Sequence, residues 1–174
     1  TGTPLMLQRG WQAPAYRRAL ERISDLVQHP DLQDDPQSLT ALSVLALSTG
    51  WSADPQRTGR VGKQLLDLAL SGDSGQAQEG DQQTLMLGHW ALGLSHWLLG
   101  QPVPARDHLD RAVGLYDPEA NRALGGLVVA DPGVMARTML GAVQWQMGYP
   151  DQARASLRQA VVQAQALEQP SSLA

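Results

Sequence analysis

One stretch of this chain occurs twice, and no other feature constrains the fold as tightly. His89-x-x-Leu92-Gly93-x-x-His96 runs into Gly100 and then Ala105-x-x-x-Leu109-x-x-Ala112. Arg137-x-x-Leu140-Gly141-x-x-Gln144 runs into Gly148 and then Ala153-x-x-x-Leu157-x-x-Ala160, every position displaced by 48 residues. The spacing has a physical reading. Alanines seven apart lie two turns apart on one helix face, with a leucine filling the space between them. A glycine directly after Leu92 or Leu140 lets a partner helix approach closely. Gly100 and Gly148 follow the last apolar residues of a first helix, where a left-handed C-terminal cap is commonly needed. Each copy is therefore expected to be two antiparallel helices.

The pattern resembles the tetratricopeptide repeat, a helix-turn-helix unit of about 34 residues with the signature Trp-x-x-Leu-Gly-x-x-Tyr, then Ala-x-x-x-Phe, then Pro. The resemblance implies a right-handed helical-hairpin superhelix, here of about seven helices in one domain over residues 1–174. The excess of the 48-residue displacement over the family's length matches the segment 117–130, DPEANRALGGLVVA, read as an insertion loop between copies.

Composition agrees with an all-α chain. Apolar residues make up 43% of the sequence and are almost all Leu, Ala, Val, Met and Trp, with no Phe, which favours helix over sheet. The absence of Cys removes disulfides, thiolate nucleophiles and thiolate metal ligands together. A net charge of −4 with a single lysine, Lys63, gives no basic stripe for nucleic acid, and Arg17-Arg18 reads as a solvated helix face. The longest apolar run, Leu85 to Leu99, contains His89 and His96 and is shorter than the roughly 20 residues of a membrane span. No basic segment precedes Leu5-Met6-Leu7, so no signal peptide is expected and the reading is cytoplasmic.

In chain order, Tyr16, Leu20, Ile23 and Val27 recur at helical steps, giving a first helix over about 13–27. Asp35-Pro36 and Asp54-Pro55 each place a capping carboxylate before a proline suited to a first helical turn. Helices are expected over about 36–49 and 55–70, a diverged copy of the repeat with Leu45-Ala46 at the Leu-Gly positions and Thr58, Gly62 and Leu65 in place of Ala, Leu and Ala. Residues 71–80, SGDSGQAQEG, read as a connector. The remaining helices are expected over about 81–99, 102–116, 131–147 and 150–167, so the hairpins are 36–70, 81–116 and 131–167.

Tyr116 to Arg122, Asp131-Pro132-Gly133-Val134 and Gly148 to Ala153 are similar to the tetratricopeptide region that follows the ATPase module in large bacterial signalling proteins. Those proteins pair a STAND-type or AAA-like ATPase with a nucleotide cyclase or a DNA-binding activator domain. The resemblance implies a regulatory segment of a larger protein, without catalytic residues of its own.

The chemistry-bearing residues agree with that. Gly62-Lys63-Gln64 lacks the first glycine and the final Ser or Thr of a phosphate-binding loop. Gly93-Leu94-Ser95-His96-Trp97 lacks the last glycine of a nucleophile elbow. His89 and His96, two turns or roughly 10 Å apart along a helix, are too distant to share a metal and stand at large-aromatic positions of the repeat, where packing explains them. No cofactor and no metal site is expected. The tryptophans say more. Trp97 and Trp145 occupy the same repeat position, Trp90 lies seven before Trp97, and Thr138 is its counterpart in the second copy. Trp90, Trp97, Thr138 and Trp145 either line a concave groove, where indoles supply contact area and a donor, or pack between hairpins.

The reading is a non-catalytic module that binds a protein or peptide segment, including its own chain's ATPase, and contacts neither nucleic acid nor membrane. The alternative is a small-effector sensor in which the 117–130 loop closes over the groove with Gly125-Gly126 as hinge. An array cut from its neighbours also leaves an apolar end, through which a terminal helix could pair two copies.

Overall fold

The computed structural model describes residues 54–71, 79–119 and 131–167, with 14, 18, 21–23, 42, 43 and 45–48. Asp35, most of the 71–80 connector and the Gly125-Gly126 hinge lie outside the described residues, as do most of the two helices expected before Asp54. The described residues in those two helices are helical.

Five helices follow in order: α1 (Pro55–Ser71), α2 (Glu79–Leu98), α3 (Pro102–Leu115), α4 (Pro132–Gln146) and α5 (Pro150–Ala166). No strand occurs among the described residues, and the chain is an all-α helical-hairpin repeat. Its starts and stops have local causes. The Asp54 carboxylate accepts the Arg57 N–H at 2.9 Å, and the Asp131 carboxylate accepts the Val134 N–H at 2.9 Å. Each satisfies an amide that the first helical turn leaves unpaired, and a proline follows each cap.

The two hairpin turns are near-copies in backbone conformation. Gly100 has φ +70° and Gly148 φ +84°, left-handed values that cost a glycine nothing. The Gly100 N–H donates to Trp97 O and the Gln101 N–H to His96 O; the Gly148 N–H donates to Trp145 O and the Tyr149 N–H to Gln144 O. Gln101 and Tyr149 then open α3 and α5 at φ −108° both, with Pro at the first helical position. Four orphan carbonyls are thereby satisfied by the same two-bond closure in each copy.

Close helix approach explains the glycines after Leu92 and Leu140. A Cβ at Gly93 would stand 2.6 Å from the Leu109 Cγ and 3.3 Å from the Ala105 carbonyl. At Gly141 the equivalent distances, to Leu157 and Ala153, are 2.8 and 3.2 Å. α1 and α2 use a different device: a Cβ at Gly62 would meet the Gly88 carbonyl at 3.0 Å, and one at Gly88 would meet the Gly62 carbonyl at 3.1 Å. Gly62 is therefore a crossing point in mid-helix, with Lys63 and Gln64 exposed beside it.

Consecutive helices pack on one another, and α2 also touches α4. One core runs through the molecule, joining Leu45 and Ala46 to Val61 and Leu65 of α1, Met86, Trp90 and Leu94 of α2, Leu109 of α3, and Leu140 and Val143 of α4. α5 stands apart. Its Ala160 and Ala164 form a small separate cluster with Val134 and Leu167.

Candidate functional site

The four residues singled out by repeat position have four different environments. Trp90 is a core residue, 1% exposed, and its indole N–H has no partner among the described residues. Trp97 is half-buried against the core, and its Nε1–H donates to the Gln146 Oε1 of the next copy at 2.9 Å. Thr138 is exposed, with its hydroxyl donating to the Val134 carbonyl of its own helix at 2.8 Å. Trp145 is 65% exposed. The structure thus brings Trp97 up against the second copy while Trp90 faces inward.

The difference between Trp97 and Trp145 follows from place in the array. On the second helix of each hairpin the leucines at the same repeat position differ: Leu109 is fully enclosed, whereas Leu157 is 41% exposed. α4 lies against α3 and α2, and nothing among the described residues stands in that relation to α5. Between the copies, Arg106 of α3 spans to α5, donating to Gln152 at 3.2 Å and standing 5.1 Å over the Tyr149 ring. Tyr149 itself is 41% exposed, so two large aromatic rings stand open on either side of the Gly148 turn.

The histidines form a group whose third member was not read from the sequence. His108 of α3 stands beside His89 of α2 with the two Nδ1 atoms 2.9 Å apart, one ring donating to the other. Its ring also stacks on His96 at 5.5 Å between centroids, while His96 Nδ1 lies 2.7 Å from the Gln101 Oε1. Burial, then His108, then Arg111 push His89 down to about 4, and burial followed by His96 lowers His108. Both rings are therefore neutral near pH 7, as a mutual hydrogen bond requires. Pairing residues outward from the Gly100 turn would have brought 89 near 108; a search along one helix could not. Ser95, in the segment compared with a nucleophile elbow, donates to the Pro55 carbonyl at 2.7 Å and joins α2 to the start of α1.

A third network joins the copies. The Tyr116 hydroxyl donates to Asp131 Oδ2 at 2.9 Å, and Asp131 Oδ1 accepts Gln163 Nε2 at 3.0 Å. Burial, followed by the Asp131 charge, drives the Tyr116 phenol well above its ordinary range, so it stays a donor. Gly133 sits against this tyrosine, where a Cβ would run into the ring.

Two hairpins equal in register, closed by the same turn at Gly100 and Gly148, define a helical-repeat protein. A tetratricopeptide repeat family model matches residues 86–111 and 134–159, two segments that carry the same 48-residue displacement. Repeats of that family generally mediate protein–protein interaction. Comparison with curated proteins and with solved structures gave no match. No described helix is long and apolar enough to cross a membrane.

Proposed function

We propose that this chain is a non-catalytic interaction module that binds a protein segment at the surface around Trp145, with Trp97 and Thr138 as flanking contacts. One observation carries the reading: Trp145 is 65% exposed, while its repeat counterpart Trp97 is hydrogen-bonded beneath the following copy. An indole left open at a position the array otherwise covers is the kind of anchor that dominates interface energetics. Trp90, inside the core, has no part in contact. The resemblance of Tyr116 to Arg122 and of Asp131 to Val134 to signalling ATPases supports placing the module in a larger regulatory protein of that type.

Displayed-peptide selection on the folded chain tests this, read by tryptophan emission. Selected peptides are expected to bind at least about tenfold more weakly to Trp145→Ala, the scale of one interface anchor. A saturable emission change with a small metabolite, lost in Trp97→Phe or Trp145→Phe and unmatched by any peptide, would instead establish the effector-sensor reading.

A further inference from the structure

α5 buries only alanines. Ala153, Ala160 and Ala164 face inward, while Leu157, Val161 and Val162 are 41, 53 and 65% exposed. Positions 157 and 161, and 158 and 162, are i,i+4 pairs that run as two adjacent stripes along the helix. In the first copy the counterparts of Leu157 and Val161, Leu109 and Val113, are enclosed or packed on the core, and α4 lies on that helix. The open face of α5 continues an interface that, one repeat earlier, takes a helix.

Its charge says what kind of helix. A concavity of about 440 Å³ is lined by Arg137, Arg158, Gln159, Val162, Gln163 and Ala166, with no carboxylate among these residues. Arg137 donates from Nε to the Gln163 Oε1 at 2.7 Å and from a terminal nitrogen to the Gln159 Oε1 at 3.3 Å. Both acceptors are neutral, so they aim the guanidinium without cancelling it. Gln163 is fixed in turn by Asp131, whose carboxylate already takes the Tyr116 hydroxyl and the Val134 N–H. Among the described residues neither Arg137 nor Arg158 has a carboxylate partner.

We propose that the outer face of α5 docks an acidic amphipathic helix of a partner protein. Its apolar side covers Leu157, Val161 and Val162, and its carboxylates reach Arg137 and Arg158, the guanidinium forks that suit them. A second copy suits the face less well, because α5 laid on α5 brings Arg154 and Arg158 of both chains together. The proposal rests on the protein-binding reading but uses residues distinct from Trp145.

The test is fluorescence anisotropy of the full chain with a labelled synthetic helix of leucines and glutamates, beside the same peptide with lysine for glutamate. The glutamate peptide is expected to bind, to weaken as salt rises, and to lose about tenfold in Arg158→Gln and again in Arg137→Gln. Val162→Asp, at an exposed site that leaves helical circular dichroism intact, is expected to abolish binding, and Trp145→Ala to leave it unchanged. Equal binding of the lysine peptide, or binding indifferent to Arg158→Gln and Val162→Asp, overturns the proposal. So does a dimer in light scattering that Val162→Asp dissociates, which would assign the face to a second copy. If displayed peptides still depend on Trp145 while the glutamate peptide fails, this inference falls and the protein-binding reading stands.

Discussion

Gly93 and Gly141 are the same residue in the same register, yet they answer to different neighbours. Each admits a leucine from the second helix of its hairpin. Leu109 is fully enclosed, whereas Leu157 is 41% exposed beside the Gly141 it packs on. Alanine in place of a mid-helix glycine gains about 1 kcal/mol in propensity, against about 1–3 kcal/mol for overpacking a filled site. Gly93→Ala is therefore expected to destabilise, and Gly141→Ala to destabilise less, its added Cβ still meeting the Ala153 carbonyl at 3.2 Å. Urea unfolding of the two variants measures this directly, and equal losses would show that Leu157 is held as firmly as Leu109. These glycines were legible in sequence because their cause is local to one hairpin. An apolar end on a terminal helix was expected too, but not that Leu157 in particular stands open while Leu109 is enclosed.

At the scale of elements, α2 and α3 are joined by a contact that acid breaks. Two neutral imidazoles can share one proton between their Nδ1 atoms; two imidazolium rings have only donors and repel. The charged groups acting on this pair are His96, Arg111 and Asp107, and only the aspartate favours protonation. His89 titrates at about 4 in the folded chain and near 6.5 unfolded, so between these values the unfolded state binds more protons. Stability is expected to be fully present above about pH 6.5 and to fall as the pH drops toward 4. Carboxylates add their own acid loss, so the comparison is with His89→Phe, which removes the pair and keeps an aromatic body at that position. Urea unfolding should show a shallower decline for the variant across this window; an unchanged slope would sink the claim. Sequence reasoning placed His89 and His96 at packing positions and missed His108, because the third ring arrives from another helix. Likewise the Asp131 cap was legible from Asp-Pro, but its bonds to Tyr116 and Gln163 were not.

Over the whole molecule, repetition does two things at once. It builds a core that runs from α1 to α4 through short helices packed in sequence, and it leaves Trp145, Tyr149, Leu157, Val161 and Val162 of the second copy open. The first follows from the 48-residue displacement, from which two stacked hairpins are expected. The second follows from the order of copies in space, which set Trp97 beneath Gln146 and left Trp145 bare. The measurement that tests this most directly is amide hydrogen exchange, comparing α3 with α5, the equivalent helices of the two copies. The account predicts that α5 amides exchange at least about tenfold faster than their α3 counterparts in the free chain, and that a selected peptide slows exchange in α5 and around Trp145. Equal protection of the two helices, or peptide protection confined to α1 and α2, would contradict it.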